Sequence, residues 1–204
     1  MVALRAWRAY TTPFPLRLRR WISVETPGLG SHRLCALLEP VPGEHLLEVG
    51  PGIGLYSLPA AGWLTESGTL DVLDLQAGML EETLARVHER GIGNLVATQG
   101  DAQRMPYPDA GFDGAFVVTA LGEIPDQIAA LSELRRVVKP GGRVVIGELV
   151  LDLHGICLGA LRRRASAAGL RYERRIGGPI TYFARFAVDE PVAAPSRLQV
   201  GRDA

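Results

Sequence analysis

The residues best suited to chemistry in this sequence are a cluster of glycines and the carboxylates that surround it. The cluster is the segment Glu48-Val-Gly50-Pro51-Gly52-Ile-Gly54, which follows a predicted strand and precedes a predicted helix. Glycines at such a junction let the backbone turn sharply and approach a ligand closely. The pattern predicts a small-molecule site at this loop, with an ordinary glycine-rich turn as the alternative.

The spacing of these glycines argues against two common nucleotide sites. The dinucleotide fingerprint GxGxxG requires a third glycine where Leu55 stands. A phosphate loop of the form GxxxxGK[ST] requires a lysine, and Lys139 is the only lysine in the sequence. The loop therefore favours a ligand that is neither a dinucleotide nor a nucleoside triphosphate.

Two carboxylates follow the loop at the ends of later predicted strands. Asp74 stands about 20 residues after Gly54, where an acid accepts hydrogen bonds from the ribose hydroxyls of a nucleoside. Asp101 ends the third predicted strand, where its carboxylate can accept from an exocyclic amine. The alternatives are that Asp74 caps the helix that begins near Ala77 and that Asp101 belongs to a common turn.

Strand and helix patterns alternate along most of the chain. The predicted strands cover 45–49, 69–75, 95–98, 112–118, 143–150, 170–175 and 181–188. The predicted helices cover 29–39, 55–64, 77–90, 126–138 and 156–168, with Pro59 straining the first turn of the second helix. The alternation predicts an α/β fold with a doubly wound, mainly parallel, seven-stranded sheet. Because no helix separates the last two strands, they are expected to form an antiparallel C-terminal hairpin.

Composition narrows the class of protein further. The 204 residues carry 22 basic and 22 acidic side chains, and this balance gives no overall attraction to nucleic acid or to an anionic membrane. Two cysteines outside any CxxC pattern and four histidines without metal-ligand spacing predict reduced thiols and no metal site. Because no secretory signal or transmembrane stretch is recognisable, we expect a cytoplasmic protein.

Four segments together resemble the class I S-adenosylmethionine-dependent methyltransferase family, nearest the branch that includes the ubiquinone/menaquinone C-methyltransferases (methyltransferase type 11). These segments are 46–54, 72–80, 100–113 and 134–142. The resemblance implies a Rossmann-like methyltransferase fold, S-adenosylmethionine as cofactor and methyltransferase activity. It also implies three parts of the chain: an N-terminal lid or helical segment at 1–43, a cofactor-binding domain at 44–188 and a flexible tail at 189–204.

The resemblance assigns roles to the positions that match the family's motifs. The glycine loop and Glu48 would hold the methionine part of the cofactor, Asp74 the ribose, and the segments near Met79 and Asp101 the adenine. Thr119, at the tip of the fourth strand, would lie below the sulfonium. The cofactor-binding positions implied in this way are Glu48, Gly50, Pro51, Gly52, Gly54, Asp74, Leu75, Met79, Asp101, Ala102 and Thr119.

One segment departs from the family's pattern. Many relatives carry Leu-His-His after the fourth strand, whereas residues 121–126 read Leu-Gly-Glu-Ile-Pro-Asp. Glu123 is therefore a candidate general base, or a group that orients the acceptor. The alternative is that Glu123 and Asp126 cap the next helix. His154 is a second catalytic candidate. His154 and Asp152, after the fifth strand, are both residues that could face the acceptor, with a loop residue of no role as the alternative for each.

The sequence thus predicts an enzyme that methylates a small-molecule acceptor at oxygen, nitrogen or carbon by in-line displacement. In the N-terminal segment, Trp7, Tyr10, Phe14 and Trp21 alternate with arginines. These aromatic residues are interpreted either as an apolar lid over an aromatic, quinone-like or lipid-like acceptor, or as packing against the sheet.

Three further hypotheses come from the same sequence. An RNA methyltransferase would use the basic clusters Arg162-Arg163-Arg164 and Arg171, Arg174 and Arg175, although the neutral net charge argues against nucleic acid as a partner. A non-catalytic cofactor-binding protein would keep the glycine loop and lose the chemistry. The basic, aromatic N-terminal segment would also permit weak contact with a membrane surface.

Overall fold

The structure is a computed structural model, and it describes residues 26–190. Its helices are Ser31–Leu38 (α1), Ser57–Leu64 (α2), Ala77–Glu89 (α3), Gln127–Val137 (α4) and Leu158–Ala167 (α5), with a short 3₁₀ turn at Leu121–Glu123. Its strands are His45–Val49 (β1), Thr69–Asp74 (β2), Leu95–Gln99 (β3), Phe112–Val118 (β4), Val138–Leu149 (β5), Arg171–Gly177 (β6) and Thr181–Ala187 (β7).

The seven strands form one sheet in the order β3-β2-β1-β4-β5-β7-β6. The five strands from β3 to β5 are parallel, and β7 lies antiparallel to both β5 and β6. This arrangement confirms the predicted doubly wound, mainly parallel sheet with an antiparallel C-terminal hairpin. The strand order changes direction between β1 and β4, which places a crevice at the carboxyl ends of these strands.

Two apolar clusters, one on each face of the sheet, form the core. One cluster holds α4 and α5 against the sheet through residues such as Leu134, Leu161 and Phe186. The other holds α1 and α2 through residues such as Leu37 and Leu64. Because both faces are covered, the central strands are buried along their length, which explains why they read as continuous apolar runs in the sequence.

Helix α1 is fastened to the sheet by a buried arginine on β5. The Arg143 side chain is 8% exposed, and its Nε donates to the carbonyl oxygen of Leu38 at 2.6 Å. Its two terminal nitrogens bind the carboxylate oxygens of Glu44 at 2.6 and 2.5 Å. Helix α1 is therefore part of the packed core, whereas residues 1–25, with the aromatic side chains of the expected lid, lie outside the described residues.

The start of β5 differs from the sequence-based prediction. The strand begins at Val138, directly after α4, and not at residue 143. Val138 pairs with Phe112 and Arg143 pairs with Gly114, so an irregular stretch separates the two pairs. The segment 139–142, expected to form a turn before the strand, lies inside it because the N–H of Gly141 finds a partner in the carbonyl oxygen of Val188 at 2.8 Å.

Three further properties of residues 26–190 bear on function. Neither a membrane-spanning helix nor a metal-binding group of three or more His, Cys, Asp or Glu side chains is found among them. Cys35 and Cys157 are both free thiols.

Candidate active site

A cavity of about 330 Å³ opens at the carboxyl ends of the parallel strands. The loops that follow β1, β2, β3, β4 and β5 all contribute to its wall. Loops that follow parallel strands meet at one edge of the sheet, so residues far apart in the sequence come together there. The crevice expected from the topology is therefore present.

The glycine loop after β1 forms one wall of the cavity. Gly50, Gly52 and Gly54 have φ values of +71°, +58° and +81°, a conformation that strains any residue with a Cβ. A Cβ on Gly50 would also lie 2.5 Å from the Cβ of Ala120 in the loop after β4. The hydroxyl of Thr83 on α3 donates to the carbonyl oxygen of Gly52 at 3.0 Å and fixes the loop. The loop is thus held by α3 and presents its backbone to the cavity.

Asp74 lies at the end of β2, beside the glycine loop. Its Oδ1 accepts a hydrogen bond from the backbone N–H of Gln76 at 2.8 Å. Burial raises the pKa of Asp74, and backbone N–H groups at Gln76, Gly52 and Leu75 oppose that rise. The Leu75 side chain, 55% exposed, stands at the mouth of the cavity next to it. Asp74 therefore places its carboxyl oxygens in the cavity wall, next to the apolar side chain of Leu75.

The loop after β3 is shaped by a carboxylate–amide contact. Asp101 Oδ1 accepts from the backbone N–H of Gln103 at 2.8 Å and from its side-chain Nε2 at 3.0 Å. The amide oxygen of Gln103 in turn accepts from the backbone N–H of Asp126 at 3.0 Å. This chain of contacts ties the β3 loop to the start of α4 and places the buried Ala102 in the cavity wall.

The backbone at the tip of β4 is strained. Thr119 has a φ of +53°, which is rare for a β-branched residue and typical of functional sites. Its N–H donates to the carbonyl oxygen of Gly147 on β5 at 2.8 Å. The 3₁₀ turn that follows Thr119 carries Glu123, which is part of the cavity wall.

Asp126, and not Glu123, is the N-cap of α4. Its Oδ1 accepts from the backbone N–H of Ala129 at 2.9 Å. Glu123 lies in the 3₁₀ turn before it and lines the cavity. The predicted capping role therefore belongs to Asp126, and Glu123 is part of the cavity wall.

The loop between β5 and α5 packs directly against that 3₁₀ turn. A Cβ on Gly122 would overlap the carbonyl oxygen of His154, so the two segments touch only because the turn has a glycine there. Asp152 of this loop reaches the cavity wall. His154 does not line the cavity, and its Nε2 is buried without a hydrogen-bond partner among the described residues.

Two buried glutamates lie behind the cavity. Glu48 is 2% exposed and accepts a hydrogen bond from the hydroxyl of Ser57 at 2.5 Å. Burial, with the nearby charge of Asp74, raises the pKa of Glu48 to about 8. Glu148, near the end of β5, is also 2% exposed, and burial raises its pKa to about 8. Both side chains are therefore protonated at neutral pH in the folded protein.

Most of the predicted site residues meet at this cavity. Those that line it are Gly50, Pro51, Gly52, Asp74, Leu75, Met79, Asp101, Ala102, Thr119 and Glu123. Glu48, Gly54 and His154 lie outside its wall. Asp152, which was expected with His154 as a residue that could face the acceptor, also lines the cavity. Residues of the wall that were not predicted include Ile53, Tyr56, Gln76, Gln103 and Ile124. The signal that could have found most of them is their proximity in the sequence to Gly52, Asp74, Asp101 and Glu123.

Among the described residues, the ionisable side chains that line the cavity are all carboxylates, apart from the hydroxyl of Tyr56. Four carboxylates line it, those of Asp74, Asp101, Glu123 and Asp152. No lysine, arginine or histidine of the described residues does so. An acidic wall attracts a cationic ligand and repels the phosphates of a nucleotide, which agrees with the exclusion drawn from the glycine spacing.

Comparison with known proteins gives a consistent family assignment. A model of the methyltransferase domain matches residues 47–146. A ubiquinone/menaquinone biosynthesis C-methyltransferase of Cellvibrio japonicus is 37% identical over 107 residues, which are 52% of this chain and 43% of that protein. An O-methyltransferase of Pyrenophora dematioidea is 36% identical over 116 residues, which are 56% of this chain and 43% of that protein. The chain thus spans less than half the length of these curated relatives.

The fold is shared with solved structures. The crystal structure of an S-adenosylmethionine-dependent methyltransferase from Aquifex aeolicus superposes with a TM-score of 0.78 at 19% identity. The superposition covers 85% of this chain and 98% of that protein. At this identity the likeness establishes the arrangement of helices and strands, and chemistry has to be argued from the site.

Proposed function

The chain belongs to the class I S-adenosylmethionine-dependent methyltransferase family, and we propose that it transfers a methyl group from S-adenosylmethionine to a small-molecule acceptor. The observation that carries this proposal is the acidic cavity at the sheet's carboxyl edge, walled by the glycine loop on one side and by Thr119 and Glu123 on the other. The relatives' own activities support the same reaction class.

The residues present fit this cofactor. Gly50 and Gly52 line the cavity with positive φ values, so a ligand can lie against the backbone of the loop. Asp74 offers the acceptor oxygens that two ribose hydroxyls require. S-Adenosylmethionine carries a sulfonium and an ammonium group, and the wall of the described residues carries carboxylates and no cationic side chain. The charge of the cavity wall is thus complementary to that of the ligand.

Positioning is the main contribution of this chain to the reaction. When bound, the cofactor supplies a methyl group on a cationic sulfur that is already a good leaving group. The protein therefore has to hold the acceptor in line with that methyl group and keep water away. Thr119 and the 3₁₀ turn after it form the wall on the acceptor side, and the buried seam between Gly122 and His154 holds that wall in place.

We assign Glu123 to the acceptor. Its carboxylate lines the cavity and can accept a hydrogen bond, or the proton itself, from a hydroxyl or amine that attacks the methyl group. Asp152 lies on the neighbouring loop and contributes a second acidic group to the same cavity. His154 is not assigned a catalytic role, because it lies outside the wall.

An aromatic or quinone-like molecule is the acceptor that we propose. One relative is named for ubiquinone and menaquinone biosynthesis and another for O-methylation, and the cavity lining includes Ile53, Tyr56 and Val118. Apolar side chains with a few directed polar groups are typical of sites for such molecules. The RNA alternative has no comparable support, because none of the arginines in the two basic clusters lines the cavity.

Calorimetric titration tests the cofactor assignment. We expect S-adenosylmethionine and S-adenosylhomocysteine to bind and NAD not to bind. Asp74→Asn should weaken S-adenosylmethionine by about 1–3 kcal/mol, because it removes a charged hydrogen-bond acceptor. Asp109→Asn, at an exposed carboxylate beside Arg136, is the matched control and should bind normally. Equal affinity of both variants would mean that Asp74 does not contact the ribose.

Methyl transfer to a panel of phenols and hydroxyquinones tests the reaction. Product is followed by mass spectrometry and by release of S-adenosylhomocysteine. Glu123→Gln should lower turnover by about 100-fold if the carboxylate is a general base, with unchanged cofactor affinity. His154→Gln should retain turnover, since His154 lies outside the cavity. Cofactor binding without transfer to any acceptor would favour the non-catalytic alternative.

A further inference from the structure

A second depression lies between α5 and β6, away from the cavity described above. Its volume is about 600 Å³, and it has no lining residue in common with the first cavity. Arg162, Arg163 and Ser166 of α5 form one side, and Arg171 and Tyr172 of β6 form the other. No acidic side chain from residues 26–190 lines it.

The arginines on the two faces of the sheet differ in whether a carboxylate pairs with them. On the face covered by α1, Arg174 and Arg185 bind the carboxylate of Glu39 at 2.5 and 2.6 Å. Arg185 also binds Glu173 at 2.8 Å. On the α5 face, the structure gives Arg162 and Arg163 no acidic partner among the described residues. In this part of the sheet, the arginines on the α1 face are therefore paired with carboxylates, and Arg162 and Arg163 on the α5 face are not.

One guanidinium in the depression is held in a fixed position. The guanidinium carbon of Arg162 lies 4.4 Å from the centre of the Tyr172 ring, a cation–π contact that orients the planar group. Tyr172 is itself held by an edge contact with Phe186, at 5.8 Å between ring centres. Arg171 completes the rim, with its charge balanced by Asp189 at 2.7 Å. The depression thus offers the oriented guanidinium of Arg162 and the exposed guanidinium of Arg163.

We propose that this depression binds a phosphate group of an anionic ligand. The two uncompensated charges of Arg162 and Arg163 match the charge of a phosphate dianion. The forked donors of arginine match the geometry of phosphate oxygens, and the hydroxyl of Ser166 supplies a further donor. The phosphate can come from a soluble phosphorylated molecule or from the backbone of RNA.

Arg175 distinguishes these two sources. It pairs with Ala184 across the hairpin, as Tyr172 pairs with Phe186, so both side chains lie on the α5 face. Three residues along a strand span about 10 Å. A single phosphate or pyrophosphate bound beside Tyr172 is shorter than this spacing, whereas an RNA strand that follows β6 brings a further phosphate to Arg175.

Binding to the full-length chain tests the proposal without any measurement of methyl transfer. Sodium pyrophosphate and a short oligouridylate are titrated calorimetrically, with S-adenosylhomocysteine present throughout to keep the first cavity occupied. Arg163→Gln is compared with Arg90→Gln, which removes the same charge from an exposed residue at the end of α3. We expect Arg163→Gln to weaken pyrophosphate binding about tenfold and Arg90→Gln to leave it unchanged.

The outcomes separate the sources and decide the proposal. Loss of pyrophosphate binding in Arg163→Gln alone supports a soluble phosphorylated ligand. Tighter binding of oligouridylate, weakened by both Arg163→Gln and Arg175→Gln and steeply reduced by salt, supports RNA phosphates at the same site. The proposal is overturned if neither probe binds saturably, or if Arg90→Gln weakens binding as much as Arg163→Gln. Because Arg163 is exposed, its variant should fold normally, and a thermal melt checks this.

Discussion

Replacement of Glu148 by glutamine should change how the stability of this protein depends on pH. Glu148 is buried near the end of β5, where its Oε2 accepts from the backbone N–H of Ile156 at 3.3 Å and its Oε1 has no partner among the described residues. Burial is the main cause that raises its pKa from 4.5 to about 8. Asp152 and Glu123 add to the rise, and Arg164 opposes it.

The sign of the effect follows from the two protonation states. Below pH 4.5 the carboxyl is protonated in both the folded and the unfolded chain. Between pH 4.5 and about 8 the unfolded chain loses this proton and the folded chain keeps it, so the free energy of unfolding falls as the pH rises. Each pKa unit corresponds to about 1.4 kcal/mol, which gives an upper limit on the order of 5 kcal/mol by pH 8.

Glutamine has the shape of the neutral acid and does not titrate. The free energy of unfolding of Glu148→Gln should therefore rise relative to the wild type by about 1 kcal/mol per pH unit between pH 5 and 8. Urea denaturation at four pH values across this range measures the difference. Glu66→Gln, at an exposed carboxylate, controls for the loss of one negative charge. A difference that stays constant with pH would refute the inference that Glu148 is held protonated.

Three other substitutions test residues that hold the site in its conformation. Arg143→Met should lower the free energy of unfolding by about 3–5 kcal/mol in chemical denaturation, because it leaves the carboxylate of Glu44 without its buried partner. Thr119→Gly should raise the thermal stability by about 1 kcal/mol through relief of the strained φ of +53°, and it should lower methyl transfer because the acceptor wall loses its fixed direction. Gly122→Ala should lower the melting temperature and abolish transfer, because its Cβ would overlap the carbonyl oxygen of His154; Gly62→Ala, with open space around its Cβ position, is the matched control. Unchanged transfer by the Thr119 or the Gly122 variant would show that the turn after β4 does not shape the acceptor side.

The parts of the site that could be predicted from the sequence are those at strand ends. Gly50, Asp74 and Asp101 each follow a run of apolar residues that reads as a strand. Parallel strands bring their carboxyl ends to one edge, so position along the chain was enough to place these residues together. The cavity wall contains all three.

Glu48 is a residue whose position could not be predicted from its place at a strand end. Side chains alternate between the two faces of a strand, and Glu48 points to the same face as Leu46, against α2. Its carboxylate therefore bonds to Ser57 and not to the cavity. The sequence places Glu48 next to the glycine loop, but the face it occupies depends on which helix covers that side of β1.

The first residue of β5 and the position of Asp152 in the cavity wall both depend on contacts between residues that are far apart in the sequence. The N–H of Gly141 is satisfied by Val188, which is 47 positions later in the chain. The loop that carries Asp152 packs against Gly122, where the backbones of the two segments are in contact. Neither contact leaves a periodic signal in the sequence, because both come from tertiary packing.

The position of β6 has a consequence for self-association. Within residues 26–190 this strand ends the sheet and pairs only with β7, so no other strand of that part of the chain covers its outer N–H and C=O groups. Such edges recruit further chains unless charged side chains keep them apart. Arg171, Arg174 and Arg175 lie on this strand. Asp189 and Glu39 pair with two of them, but all three long charged side chains would have to lose water if a second strand paired with this edge. A chain neutral at all three positions would present a bare edge, and light scattering would increase before any secondary structure was lost.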